Sequence, residues 1–194
     1  MKKLIFLMAM LLTFGVTAQD SKAYFAVNVG ASFPGGDITT DTDISTGLDF
    51  NLNVGYRFSE AWGATATWGA SAFAFDDAGG DTAAFGAGYL GVGPMYTLAL
   101  GDNLSWDIKP QYLLGLSGLY DFEGGSDDVT YKGGGWMLGQ SFVLGWGQGF
   151  KIAFNLDYLS GSYTEAEFDG QTIDIDSDNA YSHFTVGVGA RYNF

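Results

Sequence analysis

The sequence predicts an all-β protein, an eight-stranded antiparallel up-and-down transmembrane β-barrel. Three observations carry that expectation. Apolar and polar residues alternate with period two over eight long stretches, the pattern of strands with one apolar face. The connections between the stretches alternate in length, short then long, as the periplasmic turns and outer loops of a membrane barrel do. The composition combines 30 glycines with 16% aromatic residues, which disfavours long helices and favours strands.

Taken in order, the first strand runs from about Ala23 to Ser32. The second places Leu48, Phe50, Leu52, Val54, Tyr56 and Phe58 on one face and Asp49, Asn51, Asn53, Gly55 and Arg57 on the other. The third covers Trp62 to Phe75 and the fourth Phe85 to Leu100. In the fifth, Leu104, Trp106, Ile108, Pro110, Tyr112, Leu114 and Leu116 oppose Ser105, Asp107, Lys109, Gln111 and Ser117. The sixth, Gly134 to Trp146, puts Gln140 on the face of Trp136, Leu138 and Phe142. The seventh sets Phe150, Ile152, Phe154, Leu156 and Tyr158 against Lys151, Asn155 and Asp157. The last sets Phe184, Val186, Val188, Ala190, Tyr192 and Phe194 against His183, Thr185, Gly187, Gly189, Arg191 and Asn193. The short connections are 59–61, 101–103 and 147–149; the long ones are 33–47, 76–84, 123–133 and about 165–179.

Residues 1–18 read as an export signal, with Lys2 and Lys3 before an apolar run from Leu4 to Val16 and small residues at Val16-Thr17-Ala18. An uncleaved anchor is the alternative, although the run is short of the about 20 residues that a spanning helix needs. Residues 19–194 then form one domain. Removing Lys2 and Lys3 from 8 basic residues leaves 6 against 22 acidic ones, so the exported chain carries −16. That balance repels nucleic acid. With no cysteine, disulfides, thiolate metal sites and cysteine nucleophiles are excluded.

Alternation alone does not say which face is inside. Strands of roughly 10 to 15 residues exceed the globular mean of about 5 or 6 and match the about 9 to 11 of a membrane strand. Tyr56, Phe58, Trp62, Tyr96, Trp106, Trp146, Phe150, Tyr192 and Phe194 gather beside the short turns as an interfacial aromatic girdle. Phe50, Phe122, Trp136, Tyr158 and Phe184 are candidates for the opposite one. The polar faces are rich in glycine and small polar residues, which suits a narrow lumen. The soluble alternative is a secreted β-sandwich or a lipocalin-like barrel.

On these features, residues 20–194 resemble the small eight-stranded outer-membrane β-barrels of Gram-negative envelopes, the OmpA/OmpX type. The resemblance implies an outer-membrane location, contact with outer-membrane lipid and lipopolysaccharide, and insertion by the barrel assembly machinery. It also implies a C-terminal assembly signal on Gly189, Tyr192 and Phe194, with Gly187 where a polar residue is often found. With Phe194 at the end, the expectation is a barrel without the periplasmic peptidoglycan-binding domain of the longer relatives.

Two constellations carry candidate chemistry. Asp49, Asp107 and Asp157 share the lumen with Arg57, Lys109, Lys151 and Arg191, and buried charges need partners. An interlocking charge network that plugs the barrel is expected, and a gated ion path is the alternative. His183, the single histidine, is a potential general base. Certain lipid A deacylases resemble such barrels and carry a His/Ser pair two residues apart, but Thr185 stands where that serine belongs. A hydrogen-bonded lumen filler is the expectation for His183.

The outer loops hold most of the acids: Asp37, Asp41, Asp43, Asp76, Asp77, Asp81, Asp121, Glu123, Asp127, Asp128, Glu165, Glu167, Asp169, Asp174, Asp176 and Asp178. Asp174-x-Asp176-x-Asp178 has calcium-loop spacing, but Asn179 replaces the glycine and Thr185 the last glutamate, so no metal site is expected. Loose divalent bridging to lipopolysaccharide phosphates remains open. Asp169-Gly170 is a tight-turn signal between two partly alternating flanks, which predicts a hairpin protruding past the bilayer. The functional expectation is a monomeric, cofactor-free, non-enzymatic protein with a structural or surface-interaction role through its acidic loops, for a surface ligand the sequence does not name. A small pore is the alternative, followed by a lipid A-modifying enzyme.

Overall fold

The computed structural model describes residues 22–36, 46–76, 82–122, 129–145, 149–168, 171–175 and 180–194. The export segment, Trp146, the third short turn, the Asp169-Gly170 turn and most loop acids lie outside them. The strands are β1 (Ala23–Gly36), β2 (Gly47–Arg57), β3 (Trp62–Asp76), β4 (Thr82–Ala99), β5 (Leu104–Phe122), β6 (Val129–Leu144), β7 (Gly149–Phe168), β8 (Gln171–Asp174) and β9 (Ala180–Asn193).

Eight of these close a ring. Each strand pairs antiparallel with its predecessor from β1 to β7, β7 pairs with β9, and β9 returns to β1. Closure removes every edge within the ring, as lipid requires of a backbone that has no water to bond. The last strand seals it, Tyr24 opposing Asn193 and the Phe194 N–H donating to the Ala23 carbonyl at 3.0 Å. The ninth strand, β8, pairs only with the far end of β7, Phe168 opposite Gln171 and Glu165 opposite Asp174. This is the expected protruding hairpin. Its Ile175 N–H also donates to Thr164 at 2.9 Å.

The faces divide as the alternation requires. Leu48 (73% exposed), Phe50, Val54 and Tyr56 point outward from β2, and Phe58 just past its end is exposed too, while Asp49, Asn51 and Asn53 are buried inside. Outward apolar side chains recur on β7 and β9, with Phe150, Ile152, Phe154, Val186 and Val188 all exposed. A continuous apolar belt of this extent suits lipid and not water. Near the short turns the girdle side chains touch in pairs: Trp62 with Tyr96 at 4.8 Å, and Phe150 with Tyr192 at 5.0 Å between ring centroids. At the other end Trp136 meets Tyr158 at 5.4 Å.

One strand departs from simple parity. Alternation carried through the whole of β5 puts Leu116 on the lipid face and Ser117 in the lumen; the structure does the reverse. Leu113 faces Gly135 but Leu116 faces Gly133, so β5 carries one extra residue at Leu114/Gly115, a β-bulge that flips the phase beyond it. A second bulge falls in β7 at Thr164, where Glu165 faces Lys132 but Tyr163 faces Gly133.

Candidate functional site

The side chains that converge do so in the lumen, and they form three layers. The layer nearest the short turns centres on Arg191 and Asp107, both fully buried. Arg191 on β9 reaches across the barrel to donate from Nη1 to Asp107 Oδ2 on β5. Its Nε donates to Asn193 at 2.8 Å, and its guanidinium lies 3.6 Å from the centroid of the Tyr24 ring. Thr97 donates to the other carboxylate oxygen of Asp107 at 2.7 Å. A buried ion pair needs such secondary bonds to offset its desolvation. Arg57 and Lys151 lie close enough to interact electrostatically with this pair but stay partly exposed at the mouth.

The middle layer is a hydrogen-bonded chain. Lys109 Nζ donates to Ser141 at 2.7 Å, and Ser141 Oγ to Asn155 Oδ1 at 2.6 Å. Asn155 Nδ2 donates to Asn28 Oδ1 at 2.9 Å, and Asn28 Nδ2 to Asn51 Oδ1 at 2.6 Å. Asn51 Nδ2 completes it on Asp49 Oδ1 at 3.0 Å. Every bond donates in the same direction, from the ammonium of Lys109 to the carboxylate of Asp49, so each polarises the next. Asp49 also accepts from Ser71 at 2.7 Å and from Tyr89 at 3.1 Å. Asp157 is buried nearby, accepts a backbone hydrogen bond from Gln140 and interacts electrostatically with Lys109.

The layer nearest the long loops is apolar. Phe73, Phe85, Leu113, Leu116, Met137, Leu159, Tyr163 and Tyr181 pack into one buried cluster. Phe85 meets Tyr181 edge-on at 5.7 Å, and Tyr163 meets Tyr181 at the same separation. His183 joins its lower side, with Nδ1 hydrogen-bonded to the Tyr181 hydroxyl at 2.8 Å and its ring 5.8 Å from that of Tyr89. Thr185 shares the face of His183 but donates to Ser32 at 3.2 Å.

Of the seven charges expected in the lumen, Asp49, Asp107, Lys109, Asp157 and Arg191 are buried there, and Arg57 and Lys151 stand partly exposed at its mouth. Arg191 and Asp107 meet in a direct salt bridge. Lys109 and Asp49 are linked through four neutral side chains, Ser141, Asn155, Asn28 and Asn51. The apolar layer and the amide chain were not anticipated. Their signal was parity: Phe73 is in phase with Thr65, Thr67 and Ser71. The three assembly-signal residues fall on β9 and its end. Tyr192 and Phe194 point outward into the girdle, and Gly189 points inward against Asn28.

Outside the belt, the β7–β8 hairpin carries a half-exposed ion pair, Lys132 Nζ to Glu167 Oε2 at 2.7 Å. The hydrogen bond from Lys132, then its charge, holds the Glu167 carboxyl below the ordinary glutamate value. Among the described residues, no three His, Cys, Asp or Glu side chains group as metal ligands do.

No family model and no curated protein matches the chain. Solved structures do. Neisserial surface protein A matches with a TM-score of 0.58 at 12% identity, over 90% of this chain and 98% of its own. Ail, the attachment invasion locus protein of Yersinia pestis, matches with a TM-score of 0.54 at 13% identity, over 88% and 98%. Ail in complex with the heparin analogue sucrose octasulfate matches at 0.52, with 13% identity, over 88% and 99%. At these identities the likeness is one of fold, and the fold is that of small outer-membrane β-barrels.

Proposed function

We propose that this outer-membrane barrel is a non-enzymatic structural or surface-interaction protein that acts through its acidic outer side. The observation that carries the reading is the division of the chain between a filled lumen and a projecting hairpin. Most polar side chains of the lumen hydrogen-bond to one another, and aromatic and aliphatic ones close its outer half. The hairpin extends beyond the lipid-facing belt and presents Glu165, Glu167 and Asp174, with Lys132 as the neighbouring cation. Lipid and lipopolysaccharide are the surroundings of the belt, and Gly189, Tyr192 and Phe194 are the residues offered to the assembly machinery.

A surface carrying this excess of acid repels polyanions, so a sulfated saccharide of the kind solved with Ail is a poor ligand here. The fitting chemistry is cationic: a basic protein segment, or divalent ions bridging to phosphate. The test is calorimetric titration of the refolded protein with a lysine-rich peptide and with calcium. The reading predicts heat that falls when Glu165, Glu167 and Asp174 become amides; no heat from either titrant refutes it. For the enzymatic alternative, lipid A of unchanged mass after incubation supports the present reading.

A further inference from the structure

The β4–β5 ladder has a gap at one rung. Val92 pairs with Tyr112 and Tyr96 with Ile108 in unchanged register, yet the three positions between them are unpaired. That register sets Pro94 directly opposite Pro110. At this rung each residue should donate its N–H to the other's carbonyl, and neither proline has one. The ladders on the far sides of both strands are intact, Pro94 opposite Ala64 and Pro110 opposite Leu138. The two prolines thus concentrate their defect on one rung, and two carbonyls in the membrane-spanning wall have no ladder donor. Such groups in hydrocarbon must find partners elsewhere.

A second observation lies on the lumen side of the neighbouring unpaired position, where Gln111 faces Gly93. Gln111 follows Pro110 and turns into the lumen, 4% exposed, and among the described residues neither its Nε2 nor its Oε1 has a hydrogen-bond partner. The facing wall of β4 is glycine. A Cβ on Gly91 would stand 3.0 Å from Gln111 Oε1, and one on Gly93 would overlap the Pro110 carbonyl oxygen. No side chain from these two positions separates the amide from the broken rung.

We propose that the rung and the Gln111 amide form a water-binding site built into the barrel wall. Water donates to the Pro94 and Pro110 carbonyls in place of the missing N–H groups and bonds to both ends of the Gln111 amide. Two carbonyls, one amide oxygen and one amide N–H supply the two to four partners that hold an internal water. The wall is accordingly wetted from the lumen side at one level, two residue pairs above the girdle residue Tyr96.

The test uses the full-length exported chain, refolded in deuterated micelles and selectively labelled at glutamine side chains. Magnetisation transfer from water to the Gln111 side-chain amide is expected, with the sign of a long-lived bound water. In the variant carrying Pro94→Val and Pro110→Val, which restores both donors, that transfer should fall at least severalfold. The new amides at 94 and 110 should also be protected from exchange. The proposal is overturned by a Gln111 amide with no water contact in the folded wild-type protein, by contacts to detergent alone, or by transfer that the double variant leaves unchanged. Should the double variant not fold, the wild-type measurement decides alone.

Discussion

Arg191 and Asp107 meet across the lumen from strands that are not neighbours in the sheet, with the guanidinium lying over the Tyr24 ring. The pair ties β9, the strand that closes the ring, to the opposite wall. Asp107→Ala leaves a buried guanidinium without its carboxylate, and breaking a buried pair in this way costs about 3 to 5 kcal/mol. The measurement is the urea midpoint followed by gel mobility of the folded barrel. A midpoint equal to wild type would show that the pair contributes nothing net.

The amide chain makes a separate prediction. Asn28→Leu removes its central link and strands Asn155 Nδ2 and Asn51 Oδ1 in the lumen. Leaving buried polar groups unpaired costs about 1 to 3 kcal/mol each. A loss of about 2 kcal/mol is expected after partial rescue by neighbours. Equilibrium unfolding of this variant beside Asn28→Asp distinguishes a polar requirement from one of shape.

Gly189 has a packing reason beyond any role in assembly. A Cβ there would overlap Asn28 Oδ1 and lie 2.6 Å from the Val27 carbonyl oxygen. Gly189→Ala must push β1 from β9 or displace Asn28, at about 1 to 3 kcal/mol for such overpacking. The effect should show in purified refolded protein, where no assembly machinery is present. Removal of Phe194 should behave in the opposite way: outer-membrane levels fall, while the refolded truncation keeps most of its stability, losing chiefly one terminal hydrogen bond. Normal outer-membrane levels of that truncation contradict the assembly role.

The hairpin pair responds to pH with a definite sign. Because the Glu167 value is lowered in the folded state, its support for the hairpin is complete above the ordinary glutamate value. That support is lost as the pH falls through the lowered one. Both side chains are solvent-facing, so the effect is local and screened by salt. A carboxyl-detected titration should place Glu167 below the ordinary glutamate value at low ionic strength, and Lys132→Met should raise it back.

The faces assigned to β2, β9 and the first half of β7 were legible because burial in a barrel wall alternates away from bulges, and β2 shows it over its whole length. Two features were hidden. Leu113 and Leu114 are both apolar, so the point where β5 changes phase at Gly115 leaves no break in hydrophobicity. An aromatic residue also suits lipid and a packed lumen equally, so Tyr89, Tyr163 and Tyr181 gave no sign of facing inward except their parity. The lumen charges were legible as a set. Which of them pair was not, since that depends on how the ring brings β5 opposite β9.

The central claim is that the lumen is filled, so the barrel acts from its surface and does not conduct. Single-channel recording of the purified protein in planar bilayers tests it most directly. The account predicts a silent bilayer, and predicts that conductance emerges when Leu159 and Tyr181 in the apolar layer are both reduced to alanine. A large, steady conductance from the unaltered protein would contradict it.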